Sequence, residues 1–406
     1  MTSTFAIHAD RLDIVAAAEA NGVDRATVLD TIERLDAAVA AIDGSGFAPT
    51  PFGPQAQLAN ALGLKGAELW VKNETGNVSG SHKGRHLFGV ALGLALAEEQ
   101  PERLAIASCG NAAFAASVIA AAIERPLDVF VPDWADSSIT DRIAAHGARV
   151  VRTTRDPERL GDPAYHAMVA AIADGATAFS VQGTDTPTTV DGGRTIAYEM
   201  LDTLGEHRID RILLQVGGGA LGSAVVSGLQ RVLGDEGLPV VHAVQPEGNH
   251  PLAVAWDRIM VELGQADPRS NLDRANAAGA IGKMPADTRR TVLARVGADP
   301  DAYMQPWPRE PRSYATGILD DVTYDWLPLI DAMLASAGHP VVTSDMDFRM
   351  AHMLAHAHSD IPVCPTGAAG LGGLMALQRD VRPDLTGERI AVIFSGHQRD
   401  GDPRPN

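Results

Sequence analysis

Short apolar runs that end in glycine-bearing turns, each followed by a helical pattern, constrain this chain more than any other feature. Leu104-Ala105-Ile106-Ala107 gives way to Ser108-Cys109-Gly110-Asn111 and then to a small-residue helix over 111–123. Arg211-Ile212-Leu213-Leu214-Gln215-Val216 gives way to Gly217-Gly218-Gly219-Ala220-Leu221-Gly222-Ser223 and a helix to about 233. Similar runs stand at 127–131, 149–152, 240–244 and 390–394. Strands that alternate with helices at this spacing need crossover connections, so their sheets are parallel. The expected fold class is α/β, two-lobed, with parallel-sheet domains and helices on both faces. A length of 406 residues fits two or three such lobes at roughly 150 residues each.

The rest of the chain reads more coarsely. Residues 10–43 give one or two Ala-rich amphipathic helices, with breaks near Asn21-Gly22 and Asp43-Gly44. Glu68-Leu69-Trp70-Val71-Lys72 is a short strand that enters a glycine- and serine-rich turn, and a helix follows to about 99. Helices are expected at 137–146, 196–204, 345–357 and 367–379 and a strand at 340–343, while 250–315 reads as less regular, with an irregular crossing at 304–311.

Charge and cysteine content narrow the function. Thirty-three Lys and Arg against 51 Asp and Glu give a formal charge of -18, and no basic run offers counterion release along a phosphate backbone. Nucleic acid is therefore not an expected partner, whereas a small anionic substrate remains open because a pocket can be locally positive. Cys109 and Cys364 are far apart and form neither a disulfide framework nor a metal-ligand spacing, so no metal is expected and a reducing cytoplasm is the simplest compartment. The first ten residues lack a signal-peptide pattern, and no apolar stretch reaches the length of a membrane span.

Four pieces carry candidate chemistry. Lys83 follows Asn73-Glu74-Thr75-Gly76-Asn77-Val78-Ser79-Gly80-Ser81-His82 and opens the apolar pattern Leu87, Val90, Ala91, Leu94. Held in a cleft, its amine can be partly neutral and attack an aldehyde; the plain alternative is a solvated lysine at a helix start. The 217–223 turn puts close-approaching backbone and a helix N-terminus after a strand, which suits a phosphate monoester; the alternative is a packing turn. Walker lysine and dinucleotide-spaced acid are both missing from it. The 108–112 turn offers N–H groups to a carboxylate, and Asn111 either bonds a ring hydroxyl or simply caps its helix. Ser395 ends the last apolar strand at the carboxyl edge of a sheet, where a neutral hydroxyl can face a ring nitrogen or merely close a turn.

In this order the pieces resemble the fold type II pyridoxal-phosphate enzymes, the tryptophan-synthase-β-like superfamily, and most closely its threonine synthase and threonine/serine dehydratase branches. The resemblance runs from about Pro49 to Gly401. Beyond the four pieces it rests on Lys72-Asn73-Glu74, Asp191-Gly192-Gly193-Arg194-Thr195, Pro365-Thr366-Gly367-Ala368-Ala369-Gly370 and Ser395-Gly396. It implies pyridoxal 5'-phosphate as cofactor, a small amino-acid substrate and a homodimer. Lys83 would bond to the cofactor aldehyde as a Schiff base and shuttle the α-proton, with His82 beside it in the cofactor set. Asn111 would contact the ring hydroxyl, Gly217, Gly218, Gly219, Ala220, Leu221 and Gly222 the phosphate, and Ser395 the ring nitrogen. Ser108, Cys109, Gly110, Asn111 and Ala112 would receive the substrate carboxylate. The matching domain division is a larger cofactor-binding domain of residues 1–82 and 192–406, with 1–48 an N-terminal helical extension, and a smaller substrate-side domain of 83–191.

Three departures bear on the reaction. His82 stands where many relatives have Phe, Gly84 where they often have Asp, and Cys364 where Glu usually precedes the Pro-x-Gly-Ala-Ala block. The leading expectation is a lyase that removes an α-proton and eliminates a β-substituent, as a dehydratase or ammonia-lyase does. Threonine synthase-like γ-elimination and replacement on a phosphorylated amino acid is an alternative, as is β-replacement. A second phosphate would draw on Arg85, Arg194 or Lys283, although each reads more simply as a surface ion pair. Readings of other classes are an idle cofactor-binding regulatory protein and, more distantly, a nucleotide-binding α/β protein.

Overall fold

The structure, a computed structural model, describes residues 2–155 and 161–405. Its strands are β1 (Phe52–Pro54), β2 (Glu68–Asn73), β3 (Leu104–Ala107), β4 (Leu127–Pro132), β5 (Arg149–Thr153), β6 (Thr177–Ala178), β7 (Arg211–Gln215), β8 (Val240–Pro246), β9 (Val341–Thr343) and β10 (Arg389–Phe394). The chain divides into two compact units, Met1–Thr50 with Gly76–Ile196, and Pro51–Thr75 with Ala197–Asn406. Both are α/β, with parallel sheets flanked by helices, as the alternation of apolar runs and helical stretches requires.

In the first unit the strand order is β5-β4-β3-β6, parallel throughout. Leu127, Val129, Phe130 and Val131 of β4 are all buried, as in a strand covered on both faces. Asp128 interrupts that run and is matched across the ladder by Arg149, whose Nε donates to its Oδ1 at 2.7 Å. Helix Pro163–Ala173 packs Ala164 and Met168 against Ala105 and Phe130.

Residues 1–48 fall in this unit, not in the larger domain to which the sequence assigned them. Phe5, Phe47 and Phe88 form one aromatic cluster with ring centroids 4.3 to 5.3 Å apart. Burial of each ring contributes about 1.5–3 kcal/mol. Asp191 Oδ2 also accepts from Ile14 N at 2.8 Å, and Arg194 pairs with both Asp13 and Asp191.

Helix Thr188–Leu204 begins well before the expected start at 196. Gly192 within this helix serves a contact. A Cβ on Gly192 would lie 2.2 Å from Arg85 O, and one on Gly89 would lie 2.9 Å from the Gly192 backbone. Two helices meet backbone to backbone there, and only glycine fits.

In the second unit the order is β1-β2-β10-β7-β8-β9, with β1 antiparallel to β2 and every other pair parallel. The last strand in the chain, β10, thus lies between β2 and β7. Parallel strands end on one edge, so Glu74, Ser395 and Gly217 all lie on the carboxyl edge of this sheet. Beneath them Val71, Leu213, Val392 and Phe394 form a core with Phe348, Leu371 and Leu374.

The stretch expected to be irregular instead holds helices Pro251–Glu262, Asn271–Ile281 and Ala286–Ala298. The buried face narrows along this series, from Leu252, Ala253, Ala255, Trp256, Ile259 and Met260 in the first to Arg289, Val292 and Val296 in the last. Among the described residues no helix is long and apolar enough to cross a membrane.

Candidate active site

The chain has four lysines, Lys65, Lys72, Lys83 and Lys283, so an aldehyde has few amines to choose from. Lys72 is fully buried and paired with Glu199 and, at 3.9 Å, with Glu74. Lys283 donates to Glu236 O at 3.4 Å in an exposed contact.

Lys83 opens helix Lys83–Leu96 of the first unit. The turn before it is fixed on both sides. Asn77 Oδ1 accepts from Val78 N at 2.8 Å, and Asp43 Oδ1 accepts from Ser79 N at 3.0 Å. Ser79 has φ +61°, an uncommon conformation for a residue other than glycine, and turns the chain into the helix. Burial raises the Asp43 carboxyl above its usual range, with the Ser79 N–H opposing that rise.

One turn along the helix lies His86, fully buried, its ring 5.5 Å from that of His82 and edge-on to it. Burial, and then the nearby Lys83 charge, push the His86 pKa down to about 3. The neutral ring sits with Nδ1 3.1 Å from Thr189 O. A carbonyl only accepts, so the proton is on Nδ1, and buried Nε2 is a bare acceptor with no hydrogen-bond partner among the described residues. Sequence reasoning missed His86; its place one helical turn after His82 was the available signal.

Gly84 has a packing reason. A Cβ there would lie 3.1 Å from Val78 O and 3.2 Å from the Phe47 ring, so a side chain fits only if both neighbours give by a few tenths of an ångström. Arg85 is fully buried and donates to Thr195 Oγ1 at 3.0 Å and Thr50 Oγ1 at 3.1 Å.

Ser108–Ala112 joins β3 to helix Asn111–Ala122 at the carboxyl edge of the smaller sheet. Gly110, not Asn111, holds the N-cap position, and no side chain caps this helix. The first-turn N–H groups therefore have no acceptor within the helix and suit a carboxylate.

In the second unit, β7 runs into the 217–222 turn and helix Ala220–Leu233. Gly219 has φ +101°, open only to glycine at low cost. A Cβ on Gly217 would lie 2.8 Å from Ile318 Cα and 2.3 Å from Asp320 Oδ2; one on Gly222 would lie 2.7 Å from Leu329. The Cβ side of the turn is thus filled by protein, and the N–H groups of Ala220, Leu221 and Gly222 open a helix with no acceptor inside it. That is a cradle for a phosphate.

Ser395 follows β10, buried, and accepts from Gln215 Nε2 at 2.8 Å. Cys364 N donates to Gly396 O at 2.9 Å, and Gly367 N donates to Cys364 Sγ at 3.2 Å, which ties the 364–370 block to the strand end. Burial pushes the Cys364 thiol up to about 11, so it is a small neutral group.

Sequence reasoning also left Lys72, Glu74 and Glu199 without a role. They form a buried charge cluster where β2 leaves the sheet, and Glu74 N donates to Phe394 O at 2.9 Å. Lys72 and Glu74 stand two apart on a strand, hence on one face, which was a readable sign.

The first unit thus carries a primary amine at a helix start, and the second carries a glycine turn that suits an anion and a buried neutral hydroxyl at a strand end, each a group that pyridoxal phosphate can use. The chain belongs to the pyridoxal-phosphate dependent enzyme family, whose match covers residues 45–396, and its cofactor is pyridoxal phosphate. It is similar to the threonine synthase of Methanocaldococcus jannaschii, 26% identical over 348 residues that cover 84% of this chain and 72% of that protein. It is also similar to the L-serine dehydratase of Saccharomyces cerevisiae, 28% identical over 190 residues, 44% of this chain and 56% of the relative. The structure of maize serine racemase has the same fold, with TM-score 0.62 and 18% identity over 92% of this chain and 94% of that one.

Proposed function

We propose that this enzyme is a lyase that removes the α-proton of a small hydroxy amino acid, expels the β-hydroxyl and releases a 2-keto acid and ammonia. Bound pyridoxal phosphate supplies an aldehyde that joins the substrate amine and a ring that accepts electron density from the α-carbon. In this reading Lys83 Nζ would hold the aldehyde in the resting enzyme and, once freed, would take the α-proton. The N–H groups of Ser108, Cys109, Gly110, Asn111 and Ala112 hold the carboxylate. The 217–222 turn holds the cofactor phosphate, Asn111 the ring hydroxyl, and Ser395 the ring nitrogen.

The observation that carries the choice of reaction is the neutral end of β10. Ser395 is a neutral hydroxyl that accepts from the uncharged amide of Gln215. A neutral partner leaves the ring nitrogen largely unprotonated and the ring a weaker electron sink. Such a setting would favour elimination of a β-substituent, and Ser395 is the residue that would provide it.

A threonine synthase-like reaction is the second reading, favoured by the relative matched over 72% of its length. It needs a site for a phosphate leaving group. The three cations that could have served are engaged elsewhere: Arg85 with Thr195 and Thr50, Arg194 with Asp13 and Asp191, Lys283 with Glu236 O.

A panel of hydroxy and phosphorylated amino acids, with ammonia, keto acid and phosphate measured together, tests the choice. Equal amounts of ammonia and keto acid from a hydroxy amino acid are expected. Phosphate release without keto acid would overturn the proposal in favour of the second reading, and cofactor binding without turnover of any substrate would favour an idle regulatory protein.

A further inference from the structure

The proposed chemistry makes no use of residues 43–47, yet this segment touches the Lys83 turn on both sides. Before the lysine, Asp43 Oδ1 accepts from Ser79 N at 3.0 Å. After it, a Cβ on Gly84 would stand 3.2 Å from the Phe47 ring.

Local structure explains neither contact. Asp43 is the last residue of helix Arg25–Asp43, where the helix dipole opposes a carboxylate. A residue that its own helix disfavours finds its use in a partner outside it. Ser79 has φ +61° and ψ +12°, a left-handed conformation that is costly for a residue with a Cβ. Gly80 follows at φ +69°, which glycine adopts freely. Two left-handed residues in succession thus set the turn, and only the first needs support. Asp43 supplies the acceptor that supports it. Phe47 is itself fixed: its N donates to Asp36 Oδ1 at 2.7 Å, its O accepts from Thr4 N at 2.7 Å, and its ring packs against Phe5 and Phe88. A held ring therefore stands against the first turn of the Lys83 helix.

We propose that the 43–47 segment is a positioning device for Lys83. Asp43 keeps Ser79 left-handed, Phe47 backs Gly84, and between them the lysine enters its helix in one place, with its amine set for an aldehyde. The proposal rests on the reading that Lys83 holds the cofactor aldehyde.

Two ligands separate the lysine bond from the rest of cofactor binding. Pyridoxal phosphate can join an amine; pyridoxamine phosphate keeps the ring and the phosphate but has no aldehyde. Dissociation constants for both, by equilibrium dialysis with the full chain freed of cofactor, should favour pyridoxal phosphate in wild type. Asp43→Ala should weaken pyridoxal phosphate about tenfold, the cost of one unsupported left-handed residue, and leave pyridoxamine phosphate within about twofold. Asp43→Asn, whose amide oxygen can still accept from Ser79 N, should lose little. Ser79→Gly added to Asp43→Ala should restore most of the loss, because glycine needs no support there. If Asp43→Ala does not fold, Phe47→Leu, which uncovers Gly84, should give the same selective loss. Equal losses for both ligands, no loss, a loss in Asp43→Asn equal to that in Asp43→Ala, or no recovery with Ser79→Gly would overturn the proposal. Lys83→Ala separates the two levels. It should bind both ligands alike, and a preference for pyridoxal phosphate that persists there means that the underlying reading falls. A preference lost in Lys83→Ala but intact in Asp43→Ala defeats the role of the segment alone.

Discussion

Two turns of this protein have the same local plan, a parallel strand that runs through glycine into the start of a helix, and they differ in what stands behind them. A Cβ at Gly110 of the first unit would meet nothing within 4 Å, whereas one at Gly217 of the second would press on Ile318 Cα at 2.8 Å. The 217–222 turn is sealed on its side-chain side by 318–329; the 108–112 turn is open. A sealed turn keeps its N–H groups in one geometry, which suits a resident phosphate. An open one can adjust, which suits a carboxylate that arrives and leaves. Glycine is thus demanded by sterics in one turn and only tolerated in the other.

The sealed unit should be the less forgiving of the two. Glu199→Gln removes the carboxylate paired with buried Lys72 and should cost the most, about 3 kcal/mol of stability by urea denaturation. A loss below about 1 kcal/mol would show the cluster to be hydrated, against the burial argued for it. Gly217→Ala comes next, at about 2 kcal/mol, because the backbone at Ile318 must shift. Its cofactor affinity, read by spectrophotometric titration, should fall at least tenfold, and an unchanged affinity would break the contrast between the turns.

His86 in the first unit sharpens the comparison through pH. Its folded pKa of about 3 lies below the ordinary 6.5, so the unfolded chain binds the extra proton between those values. Its contribution is therefore fully present above about pH 6.5 and is lost as pH falls toward 3. His86→Asn keeps a donor for Thr189 O without the titration. Between pH 7 and 5 it should lose about 2 kcal/mol less stability than wild type, by paired denaturation curves. His339 of the second unit, pushed down to about 4 by burial, leaves the acid limb shallower and not abolished. The smallest effect belongs to Gly110→Ala. Stability should change by less than about 0.5 kcal/mol and cofactor affinity not at all, while the KM for substrate rises several-fold.

What could be read from the sequence follows the same line between local and distant causes. Strand β10 was legible because the unbroken apolar run Ile390–Phe394 has one plain use, a strand covered on both faces. Lys83 and the 217–222 turn stood out as candidates because backbone chemistry and residue type coincide over a few residues. Helix Ala286–Ala298 was missed because a stripe as narrow as Val292 and Val296 barely rises above its polar surroundings. The start of helix Thr188–Leu204 was missed because the contact that demands Gly192 is with Arg85, far away in the chain. Gln215 and Glu199 acquired a role only through partners 180 and 127 residues distant, a register that no local pattern announces.

The central claim is that Lys83, among four lysines, carries the cofactor aldehyde. Borohydride reduction of the holoenzyme, followed by proteolysis and mass spectrometry, tests it most directly. The account predicts a phosphopyridoxyl group on the peptide that contains Lys83 and on no other. The same group on Lys65, Lys72 or Lys283, or on none of the four, would contradict it.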